Sequence, residues 1–183
     1  MNPLIYAMWR QDAKRKYRLI APFLAANDTI LEVGSGPGSL VEELKSRGRN
    51  PVALDIANQA HKPKLEPIIY DGSTMPFEDD EFDTALIMTV LHHAQDPEQV
   101  LSEAGRVARR VIVMEDVYTN RAQEKLTHWT DSLTNWEFAG HPHNNRTHQE
   151  WLNNFQSLGF SIDFQRSFAF LALYRQAIYV LRS

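Results

Sequence analysis

At 183 residues the chain suits one domain with a substantial core, and a formal net charge of −4, from 19 Lys and Arg against 23 Asp and Glu, lacks the basic balance that phosphate-backbone binding favours. The complete absence of cysteine excludes disulfides, thiolate metal sites and cysteine nucleophiles, and suits a reducing compartment. The longest nearly apolar run, Ala85 to Leu91, is far below the roughly 20 residues that span a bilayer.

Residues 3 to 26 space Leu4, Ile5, Met8, Trp9, Tyr17, Ile20, Phe23 and Leu24 as one or two amphipathic helices. Trp9, Arg10 and Gln11 stand where a secretory signal requires an unbroken apolar stretch, so we expect a cytoplasmic protein in which the N-x-T triplets at Asn27 and Asn145 are chance matches. The basic cluster Lys14, Arg15, Lys16 and Arg18 reads as a solvated helix face, with an anionic-substrate role as the alternative. Ile30 to Val33 is an apolar strand that breaks into Gly34, Ser35, Gly36, Pro37 and Gly38, and a helix with Leu40, Val41 and Leu44 follows. Gly48 and Asn50-Pro51 stop that helix before a second strand, Val52 to Asp55.

Pro67 to Tyr70 reads as a short third strand and Phe82 to Met88 as a buried fourth. Asp96, Pro97 and Gln99 open a helix as N-cap, N1 and N3, with Val100, Leu101, Ala104 and Val107 inward. A fifth strand, Val111 to Met114, ends at Glu115-Asp116. Leu126, Trp129, Leu133 and Trp136 then step as a helix, and residues 139 to 146 form a polar loop. Thr147 and Glu150 make a capping box for a helix with Trp151, Leu152, Phe155 and Leu158. Phe160 to Phe164 and Leu173 to Leu181 follow as an antiparallel pair of strands at the sheet edge. Strands alternating with helices predict an open, mostly parallel sheet with helices on both faces.

Glycines at 34, 36 and 38 allow positive φ and let a ligand lie against bare backbone at the start of a helix. A dinucleotide fingerprint would place its third glycine at position 39, where this chain has Ser39. Glu32 stands two residues before the first glycine, Asp55 ends the next strand, and Asp71-Gly72 follows the third. The run from Asp71 through Pro76-Phe77, Phe82-Asp83 and Leu91-His92-His93 completes a pattern that resembles the class I S-adenosylmethionine-dependent methyltransferases, type 11 group, over residues 29 to 116.

The resemblance implies a Rossmann-like class I methyltransferase fold: one domain over 1–183, with a mostly parallel seven-stranded sheet and an antiparallel C-terminal edge strand. Within it, 1–28 form a helical cover, 29–116 the cofactor half, and 117–183 the substrate-side helices and edge strands. It implies S-adenosyl-L-methionine as cofactor, held by Glu32, Gly34, Ser35, Gly36, Gly38, Asp55, Ile56, Asp71, Gly72, Ser73, Thr89 and Val90. Asp55 would accept the ribose hydroxyls, Asp71 the adenine amino group, and Glu32 would orient the methionine tail. Taken alone, Asp55 is equally a turn former or helix cap, and the alternative for Glu32 is an ion pair that holds the N-terminal helix. Asp83 reads as a turn support, and Pro76 and Phe77 as structural.

His92 and His93 are the candidate bases, needed only if the acceptor must lose a proton, and both also fit as a helix-start pair packed on the sheet. Glu115 and Asp116 read as pocket lining. His141, His143 and His148 resemble zinc-ligand spacing, but a polar surface loop or a substrate lid fits their neighbours better, and we expect no metal. The family's proline- and glycine-rich turn before the fifth strand is missing, since Ala108-Arg109-Arg110 leads straight into Val111. The amino-methylation tetrapeptide is missing too, Thr89-Val90-Leu91-His92 standing in its place. That favours a small-molecule acceptor, with no nucleic acid partner, no membrane insertion, and a monomer or homodimer. The alternatives are a non-catalytic cofactor-binding or scaffold protein and a nicotinamide-nucleotide oxidoreductase.

Overall fold

The computed structural model describes residues 2–118, 146–170 and 174–183. Its centre is an 8-stranded sheet in the order β3-β2-β1-β4-β5-β8-β7, with β6 beside β5. The strands are β1 (Ile30–Val33), β2 (Val52–Asp55), β3 (Ile68–Ile69), β4 (Thr84–Met88), β5 (Val111–Tyr118), β6 (Arg146–Thr147), β7 (Ser161–Phe170) and β8 (Tyr174–Arg182). β1, β2, β3, β4, β5 and β6 pair in parallel. β8 is antiparallel to both β5 and β7. The antiparallel C-terminal strand is therefore inserted between β5 and β7, and the edge itself is held by β7.

The helices are α1 (Pro3–Ile20), α2 (Ser39–Ser46), α3 (Pro97–Val107) and α4 (His148–Ser157). β1 and β4 are buried along their whole length, as strands covered on both faces must be. On one face Leu31, Val33, Ala85, Ile87 and Val113 pack with Leu101 and Ala104 of α3 and Trp151 and Phe155 of α4. On the other, Ile30, Leu86, Met88, Ile112 and Ile178 pack with Ala13 and Ile20 of α1 and Leu40 and Leu44 of α2. Period-two alternation along each strand sends neighbouring side chains to these two separate cores.

Local signals set most boundaries. Asn2 caps α1 by accepting from the Leu4 amide at 2.8 Å, with Pro3 in the first turn, and the N-terminal apolar stretch forms α1 followed by a 3₁₀ turn at Ala21–Phe23. Thr147 and Glu150 form the expected reciprocal capping box on α4. Asp96 caps α3 through the Gln99 amide at 3.0 Å, but the Gln99 side chain donates to the Ser73 carbonyl instead of returning to the cap. β5 outruns its expected end at Asp116 because β8 pairs it through Val117 and β6 pairs Val117 and Tyr118. Arg146, expected in a loop, belongs to β6. The Trp129 and Trp136 helix and the histidines at 141 and 143 lie outside the described residues.

Candidate functional site

The parallel strands β1, β2 and β4 end together, and the loops leaving their carboxyl ends bring the expected residues into one place, as open α/β sheets do with ligand sites. Gly34 takes φ 70° and its amide donates to the Leu54 carbonyl at 2.8 Å. A Cβ on Gly34 would lie 2.5 Å from Cγ2 and 2.7 Å from Cγ1 of Val90, so only glycine lets the loop after β1 touch the turn after β4. Gly36 and Gly38 also adopt positive φ, and Gly38 stands at the N-cap of α2.

Asp55, at the end of β2, ties this loop down. Its Oδ2 accepts the Gly36 amide at 2.7 Å and its Oδ1 the Ile56 amide at 2.7 Å. Oδ1 also accepts the Ala57 amide at 3.4 Å, so with two lone pairs per carboxylate oxygen the acceptor position that remains is on Oδ2. The next residue, Ile56, is 64% exposed, an apolar side chain left open beside Gly72.

Glu32 is the unusual group. It is 4% exposed, and its Oε2 is buried with no hydrogen-bond partner. Desolvation pushes its carboxyl up to about 8 from 4.5, with the Lys16 charge opposing that rise and the Asp55 charge adding to it. Ser35 Oγ, next to the same loop, is likewise buried and unpartnered. Buried polar atoms are ordinarily hydrogen-bonded, and these two lie on or beside one glycine loop.

Asp71 is exposed. Its Oδ1 accepts the Ser73 amide at 2.8 Å and the Thr74 amide at 3.1 Å, and these bonds hold its carboxyl below the usual range. At the end of β4, Thr89 adopts φ 63°, a left-handed conformation rare for a branched residue, and its amide donates to the Met114 carbonyl at 2.7 Å.

The two adjacent histidines separate in role. His92 is 3% exposed, and its Nδ1 donates to Glu115 Oε2 at 2.6 Å, whereas His93 is half-buried. Their rings lie 3.9 Å apart, tilted at 45°. Glu115, expected to line a pocket, is fully buried, and its Oε1 accepts the Val90 and Leu91 amides at 2.9 and 2.7 Å. It organises the turn after β4 from within. Asp116 accepts from Gln176 at 2.8 Å. His148 Nδ1 lies 2.8 Å from the Tyr179 hydroxyl, whose pKa burial and the Glu115 charge raise. Asp83 accepts the Thr29 amide and hydroxyl, each at 2.9 Å, and so supports the turn into β1. Phe77 meets Phe82 edge-on at 4.9 Å.

One residue escaped the sequence reading. Lys16, placed in a solvated basic cluster, is 7% exposed and reaches the end of β4. The available signal was spacing: Tyr6, Trp9, Ala13, Lys16 and Ile20 step by three and four, so Lys16 occupies a position on the apolar stripe of α1.

Residues 31–111 match the family model described as a methyltransferase domain. An uncharacterized protein of Methanocaldococcus jannaschii is 36% identical over 80 residues, 44% of this chain and 39% of that protein. A demethylmenaquinone methyltransferase of Renibacterium salmoninarum is 28% identical over 104 residues, 52% of this chain and 44% of that one. The matched stretch thus spans less than half of either relative. Among solved structures, a SAM-dependent methyltransferase from Methanosarcina mazei superposes with a TM-score of 0.72 at 20% identity, covering 91% of this chain and 97% of that one.

Proposed function

We propose that this chain, whose residues 31–111 match the methyltransferase-domain family model and whose fold is that of the class I methyltransferases, binds S-adenosylmethionine and transfers its methyl group to a small-molecule acceptor. The observation that carries the reading is Glu32, a desolvated carboxyl with an unpartnered oxygen beside a glycine loop, which suits the ammonium of a methionine tail. The other donors and acceptors match the rest of the cofactor. Asp55 Oδ2 has a lone pair left for a ribose hydroxyl, and exposed Ile56 offers an apolar face for adenine. Asp71 would accept from the adenine amino group, and the Gly72–Ser73 backbone would hold a ring nitrogen. The amides and bare backbone of Gly34, Ser35, Gly36 and Gly38 admit the methionine tail at close range.

When bound, S-adenosylmethionine supplies an electrophilic methyl group on its sulfonium. The chain has to hold an acceptor atom in line, about 3 to 3.5 Å away, with water excluded. Thr89 and Val90, fixed by the Met114 carbonyl and by Glu115, line the approach. Where the acceptor must lose a proton, His93 is the base and His92, anchored on Glu115, positions it. The small-molecule acceptor is favoured by the relatives named as demethylmenaquinone methyltransferases and by the missing amino-methylation tetrapeptide.

The test is titration calorimetry with S-adenosylmethionine and S-adenosylhomocysteine, followed by labelled methyl transfer against extracted metabolites. Binding of both and a labelled product are expected. Preference for a nicotinamide dinucleotide overturns the cofactor, and tight binding without any labelled product points to a non-catalytic binding protein.

A further inference from the structure

Lys16 of α1 is buried against the carboxyl end of β4, and every proton of its ammonium has an acceptor. It donates to the Thr89 hydroxyl at 2.9 Å and the Met88 carbonyl at 3.3 Å, and pairs with Asp12 of its own helix at 3.3 Å. Thr89 is the residue held at φ 63° in the turn beside the candidate site. The charged groups that act on Glu32 are this lysine, from α1, and Asp55, from β2. Glu32 pairs in register with Leu86 and, two residues after Ile30, belongs to the face of the sheet on which Ile30, Leu86 and Met88 pack with α1, so Lys16, held at the Met88 carbonyl, stands on the same face as the unpartnered Glu32 oxygen.

We propose that Lys16 is a positioning residue of the cofactor site, the fixed counter-cation that lets Glu32 ionise when a ligand ammonium arrives and that braces the Thr89 turn. Part of this rests on the cofactor reading above, and part concerns the ligand-free protein alone. The physical reason is desolvation. A carboxylate moved out of water is costly unless a cation compensates it, and one cation from the ligand must otherwise do this unaided. With Lys16 in place, the series Asp12, Lys16, Glu32 and incoming ammonium sums to zero charge.

The experiment compares K16M, of similar length and without charge, and K16R, which keeps the charge, with the parent protein. In the absence of ligand, urea unfolding is followed from pH about 6 to about 9. The stability deficit of K16M should widen as pH rises through the ionisation of Glu32, should be small in K16R, and should lose its pH dependence when E32Q is added. A pH-independent deficit that is the same with and without E32Q makes Lys16 a packing residue and overturns the proposal. The second arm titrates S-adenosylhomocysteine between pH about 7 and about 10, a range that spans the ionisation of Glu32 in both proteins. K16M should bind about tenfold more weakly at neutral pH, with its pH midpoint about one unit higher, since one unit corresponds to a factor of ten. Equal weakening at every pH, or unchanged binding, also overturns it. If the parent binds no S-adenosylhomocysteine, the cofactor reading falls, and the unfolding arm still decides whether Lys16 is the counter-cation of Glu32.

Discussion

Glu115 Oε2 and His92 Nδ1 lie 2.6 Å apart, the carboxylate fully buried and the histidine 3% exposed. The other oxygen of Glu115 accepts two consecutive amides, Val90 and Leu91, so one side chain from β5 fixes the whole turn after β4. Truncation would strand three donors in the interior, and an unsatisfied buried group costs about 1–3 kcal/mol. E115A should therefore lose at least about 3 kcal/mol in urea unfolding. E115Q, which keeps a carbonyl acceptor, should lose less. Equal and small losses in both would remove Glu115 from this role.

Gly34 faces two obstacles to substitution, and they can be separated. G34A meets Val90 at 2.5 Å and also places a Cβ at φ 70°. Strain of that kind costs about 1–3 kcal/mol. Adding V90A should recover the steric part of the stability loss and leave the conformational part, so the double variant should fall between G34A and the parent in thermal unfolding. An additive loss would mean that the two residues do not press on one another.

Asp55 bonds the loop amide of Gly36 and stands where ribose hydroxyls would bind. D55A removes a charged acceptor worth about 1.5–3 kcal/mol per bond, so affinity for S-adenosylhomocysteine should fall roughly 10² -fold or more by titration calorimetry. D55N keeps an acceptor for Gly36 and should lie between the two. Unchanged affinity in D55A would sink the assignment.

The Glu32 carboxyl, raised by burial from 4.5 to about 8, makes ligand binding proton-linked. At neutral pH the free site holds the proton, and pairing with an ammonium releases it, so affinity should rise as pH increases from about 6 toward about 8. Calorimetry in two buffers of different ionisation enthalpy should report close to one proton released, and E32Q should report none. The linkage to folding runs the other way. A carboxyl whose folded pKa is raised contributes stability fully present below its unfolded value of 4.5 and lost as pH rises to about 8. The parent should therefore lose stability over that window relative to E32Q, and parallel curves would assign the titration elsewhere.

Much of the architecture was legible in the chain because it depends on neighbours a few residues apart. Short apolar runs marked β1, β2 and β4, Asp96 and Thr147 marked helix starts, and glycines two apart marked the loop that needs positive φ. Glu32 was singled out by its place two residues before the first glycine, and Asp55 and Asp71 by their places at and just after strand ends, since parallel strands must deliver their carboxyl ends to one edge.

Only the tertiary structure decided what those residues touch. Lys16 and Thr89 meet across a sequence separation of 73, and Glu115 and Val90 across 25, distances over which no local pattern carries information. Docking of α1 on the sheet turned a lysine of a basic cluster into a buried one. Insertion of β8 beside β5 lengthened β5 past its apolar run, and the buried Glu115 on that strand separated His92 from His93. Residue type and spacing determine which groups can reach a site, while desolvation and partner geometry, which exist only after packing, determine which of them are charged, held or open.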